Sequence, residues 1–156
     1  MPAASDQHVS LPRTFRPFGV RIAVYAFAVV LFGTVIAIWL AFPPEVRDQF
    51  SVLQRATVLL FGAAVAAGGY ALARSRVEAR RDSVVVVNGY KTRRYHWNEV
   101  LSITLPTGSP WATLDLSDGT SVPAMGIQGS DGARAVRALR QIRTLLQQQS
   151  RTERDD

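Results

Sequence analysis

The chain has 156 residues, a formal net charge of +6 and no cysteine. Lack of cysteine excludes a disulfide framework and thiolate metal sites. The basic excess is spread over both ends, where anionic lipid would attract it, so it requires no nucleic acid.

Residues 22–42 carry no charge and read Ile, Ala, Val, Phe, Leu and Trp almost throughout. At about 1.5 Å per residue this stretch spans roughly 30 Å, the thickness of a bilayer hydrocarbon core. Arg21 precedes it, Trp39 suits the interface near its exit, and Pro43-Pro44 stops the helix. The stretch is too long, and starts too far into the chain, to read as a cleaved signal peptide.

Residues 56–73 form a second uncharged run, softer and richer in Ala and Gly, between Arg55 and Arg74. Its ends can be extended by snorkelling arginines. Gly62/Ala66 and Ala64/Gly68 are small-xxx-small pairs that predict close helix packing, either within the hairpin or across a homodimer. Arg13, Arg16 and Arg21 precede the first run, and Arg74, Arg76, Arg80 and Arg81 follow the second. The loop 43–55 has only Arg47 and Arg55, with Glu45 and Asp48. The balance predicts an inner-membrane protein with both termini cytoplasmic.

Beyond the second run the apolar period becomes strand-like. Val84, Val85, Val86 and Val87 lead into Asn88-Gly89, a hairpin signal because both residues tolerate positive φ. Residues 91–97 return. In the next strand Leu101, Ile103 and Leu105 are expected on one side, and Ala112, Leu114 and Leu116 face inward in the one after it. Asp118-Gly119 makes a further turn before 120–125. Short antiparallel strands joined by tight turns predict a meander curling toward a barrel. Ser130 or Asp131 is expected to cap a final helix. That helix places Ala135, Val136, Leu139, Ile142, Leu145 and Leu146 on one face, and Arg134, Arg137, Arg140 and Arg143 on the other. The apolar face plugs the open barrel and the arginine face is solvated. The ends 1–10 and 150–156 are expected to be loose.

The order Asn88-Gly89, Arg93-Arg94, Trp97-x-Glu99-Val100, Trp111-x-x-Leu114-x-Leu116-x-Asp118-Gly119, Ile127 and Asp131 resembles a bacterial pleckstrin-homology (PH)-like family. This is the actinobacterial group named after the low-molecular-weight protein antigen 6 PH domain. The resemblance implies a PH-like fold of seven strands and a helix, without catalytic activity. The expected architecture is a hairpin of two transmembrane helices plus a small α+β domain, an open antiparallel β-barrel of about seven strands closed by one C-terminal amphipathic helix. Its divisions are a cytoplasmic tail (1–21), spans at 22–42 and 56–73 around a short loop (43–55), the domain (74–149) and a tail (150–156).

No nucleophile elbow, P-loop or dinucleotide fingerprint occurs, and His8 and His96 have no carboxylates at metal-ligand spacing. Neither an enzyme nor a cofactor is expected. Trp97 and Trp111 read as core plugs, and Glu99 as the partner of a neighbouring arginine. The residues 126–132 read as a strand-to-helix connection. The cluster that stands out is basic: Arg80, Arg81, Lys91, Arg93 and Arg94, expected side by side on the Asn88-Gly89 hairpin. It suits an acidic segment of a protein partner or anionic lipid headgroups. The leading expectation is a scaffold that binds a protein at the cytoplasmic face. Direct lipid sensing and an accessory subunit of a transport complex are the alternatives.

Overall fold

The computed structural model describes residues 11–155, with side chains as far as Gln149. The expected loose end 1–10, with His8, lies outside the described residues. The chain divides into a helical hairpin, 18–74, and a β-rich unit built from residues on both sides of it.

In the hairpin, α1 (Phe18–Ala41) and α3 (Val52–Arg74) flank a short α2 (Pro44–Asp48). Both long helices start four residues before the uncharged runs, α1 stopping at Ala41 just short of Phe42, and both are long and apolar enough to cross a membrane. The early start of α3 has a local cause: Gln54 N–H donates to Ser51 Oγ (3.3 Å) and Ser51 N–H donates to Gln54 Oε1 (2.9 Å). This reciprocal cap satisfies two backbone donors that the helix leaves open. The connection is compact. Trp39 meets Phe50 edge-on at 5.5 Å, Phe50 stacks on Phe42, and the Arg55 guanidinium lies 5.6 Å from the Trp39 ring. Arg47 donates to Phe42 O, and Arg55 donates to Phe50 O and Arg47 O. Both loop arginines thereby cap carbonyls that the helix ends leave open.

The packing face of α3 is only partly the expected one. A Cβ on Gly62 would sit 3.3 Å from Phe32, and one on Gly69 would sit 3.1 Å from Val24. Ala66 lines the groove against α1. Ala64 is exposed and Gly68 meets nothing within 4 Å. The hairpin therefore packs on Gly62, Val65 and Gly69, with Ala66 exposed at the margin of the groove and Ala64 and Gly68 outside the packing face.

Among the described residues the β-rich unit has seven strands in two antiparallel sheets, ordered β1-β2-β3-β4 and β5-β6-β7. They are β1 (Arg13–Phe15), β2 (Arg76–Ala79), β3 (Ser83–Asn88), β4 (Lys91–His96), β5 (Val100–Thr104), β6 (Trp111–Leu116) and β7 (Ser121–Gln128). The first of these seven described strands comes from the expected tail 1–21. Phe15 pairs with Val77 and enters the core. No ladder joins the two sheets among the described residues, so the barrel is not closed. The Asn88 side chain spans the gap instead. Its Nδ2 donates to Pro123 O and its Oδ1 accepts from Met125 N–H at 3.0 Å, linking β3 to β7.

The core contains Val77, Val84, Val86, Ile103, Leu114, Ile127, Ile142 and Leu145. Ala112, Leu114 and Leu116 are buried as expected. Leu101 is not: the register shifts between Val100 and Ser102, and this irregularity leaves Leu101 67% exposed while Ile103 is fully buried. Ser130 and Asp131 fall in a 3-10 turn (Gly129–Asp131), and α4 (Ala133–Asp155) begins after Gly132, past the expected caps. α4 also continues beyond the expected end at Gln149. It buries Ala135, Ala138, Leu139, Ile142 and Leu145, whereas Val136 is 45% exposed. Arg143, expected on the solvated face, donates from Nε to Ile103 O (3.1 Å) and ties α4 to β5.

Across the second sheet, Asp115 on β6 accepts from Ser102 on β5 (2.6 Å) and Ser121 on β7 (2.8 Å). These bonds, Ser102 first, hold its carboxyl below the ordinary 3.8. A folded-state pKa below the unfolded one gives a contribution present above the unfolded value and lost as pH falls through the folded value. Thermal unfolding across the acid range is expected to show a steeper loss of stability for wild type than for Asp115→Asn. Parallel pH profiles would remove the assignment.

Candidate functional site

The Asn88-Gly89 turn forms as the sequence dictates, with Gly89 at φ 57. It sets β3 against β4 in a register where Val86 faces Arg93, Val85 faces Arg94 and Asn88 faces Lys91. Directly paired residues share a face, so Lys91 and Arg93 lie on the core side and Arg94 on the other. β4 ends the four-stranded sheet, leaving one edge of its backbone without a ladder partner.

The expected five-residue basic cluster is not assembled. Arg80 and Arg81 lie in the turn between β2 and β3, and Arg80 N–H donates to Ser83 O (2.8 Å). Lys91 pairs at the opposite end of β3 with Asn88. At about 3.3 Å per residue the ends of β3 are roughly 17 Å apart. Chemistry separates the groups further. Glu78 accepts from Arg76 Nε at 2.6 Å and from Arg80 Nη2 at 2.7 Å. Those bonds, Arg76 first, hold the Glu78 carboxyl below its ordinary value. Lys91, Arg93 and Arg94 are exposed and pair with no carboxylate among the described residues.

Lys91 and Arg93 border a cavity of about 320 Å³ between the sheets, with Val86 and Asn88 beside them and Ser121, Val122, Pro123 and Met125 on β7. The cavity lies where β4 and β7 do not pair, and the Asn88 bonds to Pro123 O and Met125 N–H bridge β3 to β7 at its side. Two cations at the rim, an apolar wall and an open strand edge suit an extended anionic segment.

The other residues singled out are structural. Trp97 is buried, and its indole N–H donates to Arg80 O (2.9 Å) and Arg81 O (3.1 Å), so it is a core plug. Trp111 is only partly covered at the start of β6. Among the described residues Glu99 pairs with no arginine; its carboxylate accepts from His96 N–H (2.6 Å), while the His96 ring accepts from Glu99 N–H. His96 thus caps a 3-10 turn. Among the described residues no group of His, Asp and Glu could hold a metal ion. Gly126, expected in a flexible connection, sits inside β7 against the backbone of β2.

Comparison with known proteins agrees with this architecture. Residues 74–145 match the family model of the bacterial PH domain. The chain is similar to the uncharacterized proteins Mb1452 of Mycobacterium bovis and Rv1417 of Mycobacterium tuberculosis. Each is 37% identical over 105 residues, covering 65% of this chain and 68% of the relative. No solved structure matches. A strand-rich unit with this match and these relatives leaves one assignment: the chain belongs to the bacterial PH domain family.

Proposed function

We propose that this protein is a two-span inner-membrane protein whose PH-like unit docks an acidic, extended segment of a protein partner along β4, at the cytoplasmic face. The observation that carries the reading is the contrast in charge compensation. Arg76 and Arg80 share Glu78, whereas Lys91 and Arg93 stand at the cavity rim with no carboxylate. Cations left without partners at an open strand edge are free to contribute to recognition. PH-like domains are in general binding modules, and no catalytic role is proposed.

The membrane assignment is supported by the exposure of Ile22, Phe27, Val30, Leu59, Leu60 and Phe61, which water would not tolerate on two neighbouring helices. Cytoplasmic termini are supported by the arginines flanking the spans. Arg47 and Arg55, the basic residues of the opposite loop, are engaged with backbone carbonyls. We place self-association, if it accompanies partner binding, on the Ala64/Gly68 face that the hairpin leaves unused.

The test is affinity purification of the full-length protein from detergent, comparing wild type with the K91E/R93E double variant. Two attractions become repulsions, so the partner is expected to lose about 2–3 kcal/mol, roughly a hundredfold in affinity. Arg80→Gln, at the far end of the strands, should leave capture unchanged. Equal loss in both variants would remove the β4 site. If capture is unaffected while binding follows the anionic lipid content of proteoliposomes, direct headgroup sensing by β4 takes its place.

A further inference from the structure

We propose that a second basic groove, between β1 and the beginning of α4, holds the phosphate of an anionic phospholipid headgroup. The groove measures about 350 Å³, and its lining includes Arg13, Thr14 and Arg16 from the N-terminal segment and Asp131, Arg134 and Arg137 from the other end of the unit. Four guanidinium groups therefore meet a single carboxylate. Arg13, Arg16 and Arg137 are exposed, with no carboxylate paired to them among the described residues. Like charges gathered this closely repel one another, and a bound anion removes the repulsion. A tetrahedral oxyanion matches guanidinium forks approaching from two sides, since each fork can engage two phosphate oxygens.

Connectivity selects the source of the phosphate. Arg16 is followed by Pro17 and then Phe18, the first residue of α1. Two residues of chain reach at most about 7 Å. The headgroup layer of one leaflet is about that thick. Four helical residues between Phe18 and the apolar run add about 6 Å, so once α1 spans the bilayer Arg16 stays within about a Debye length of that layer, whereas a soluble phosphate or an acidic peptide must be recruited from solution. The proposal rests on the membrane-span reading and not on the partner proposed for β4. Its site shares no residue with the β4 cavity.

The experiment is hydrogen exchange of the full-length protein in nanodiscs of phosphatidylcholine alone or with added phosphatidylglycerol. Amides of β1 and of the first turns of α4 are expected to exchange several-fold more slowly in the anionic discs. Protection should disappear at high salt and in the R13Q/R137Q variant, each arginine removed weakening the contact about fivefold. Unchanged exchange in the β5–β7 sheet verifies that the variant remains folded. Equal exchange in both lipids, or protection that survives R13Q/R137Q, overturns the proposal. So does protection reproduced in phosphatidylcholine discs by free glycerol phosphate or by polyglutamate, which would make the site one for a soluble ligand. Protein recovered outside the discs would sink the membrane reading and this proposal together; incorporated protein without lipid dependence sinks this proposal alone.

Discussion

Gly126→Ala is expected to destabilise the PH-like unit by about 3 kcal/mol or more, at the upper end of what overpacking costs. A Cβ built at Gly126 would lie 2.5 Å from Arg76 C, Arg76 Cα and Val77 N. All three are main-chain atoms, so no side-chain rotation relieves the overlap. β7 would have to lift off β2 at the place where the two sheets meet, disturbing Ile127, which is 2% exposed, and its contacts with α4. Urea unfolding followed by the buried Trp97 measures the loss. Gly129→Ala is the internal comparison: its Cβ would meet Ser109 O at 3.1 Å, which a shift of a few tenths of an ångström relieves. A Gly126→Ala protein no less stable than Gly129→Ala would show that β7 and β2 are not in this contact.

The same glycine shows where reading a sequence stops. The turns at Asn88-Gly89 and Asp118-Gly119 were legible because positive φ is a property of a few residues: Gly89 has φ 57 and Gly119 has φ 82. Alternation in residues 111–116 was legible because each second side chain meets the core. Gly126 carries neither signal; only the proximity of another strand's backbone gives it a role. Leu101 was misplaced for a related reason: the local irregularity between Val100 and Ser102 turns it outward while Ile103 keeps the core side, and composition does not report such a bulge. The basic cluster failed differently. Arg80 and Arg81 adjoin the hairpin in sequence, yet the short strand Arg76–Ala79 and its turn carry them to the far end of the sheet. Glu78, whose position between Arg76 and Arg80 was visible, was the available sign that one of these charges is already matched. Lys91 and Arg93 stayed together on one face, with Arg94 on the other, because a two-residue turn fixes the register of the strand that bears them. The β1–α4 groove joins residues from opposite ends of the unit and has no local signature.

Phe15→Ala is expected to cost about 3–5 kcal/mol, because it empties a core position contributed by a strand of only three residues. Phe15 is 9% exposed and lies in the same cluster as Val77, Ala79 and Ile127. The strand pairs Arg13 with Ala79, Thr14 with Glu78 and Phe15 with Val77, so its loss leaves β2 as a bare sheet edge. The entire helical hairpin is inserted between β1 and β2, which makes this ladder the most non-local pairing in the sheet. Such contacts form late, because loop closure is costly before they reward it. Under the proposed two-span reading, the domain is complete only when the N-terminal segment and β2 emerge on the same side of the bilayer, which a hairpin that returns the chain ensures. Hydrogen exchange on full-length Phe15→Ala should show faster exchange at Val77 and Ala79, with α1 and α3 unaffected. A fragment starting at Arg74 is expected to be less stable than the same fragment carrying residues 11–17 through a flexible linker. Equal stability of the two fragments would mean that β1 merely rests on the sheet, and the proposed β1–α4 groove would then lack a fixed wall.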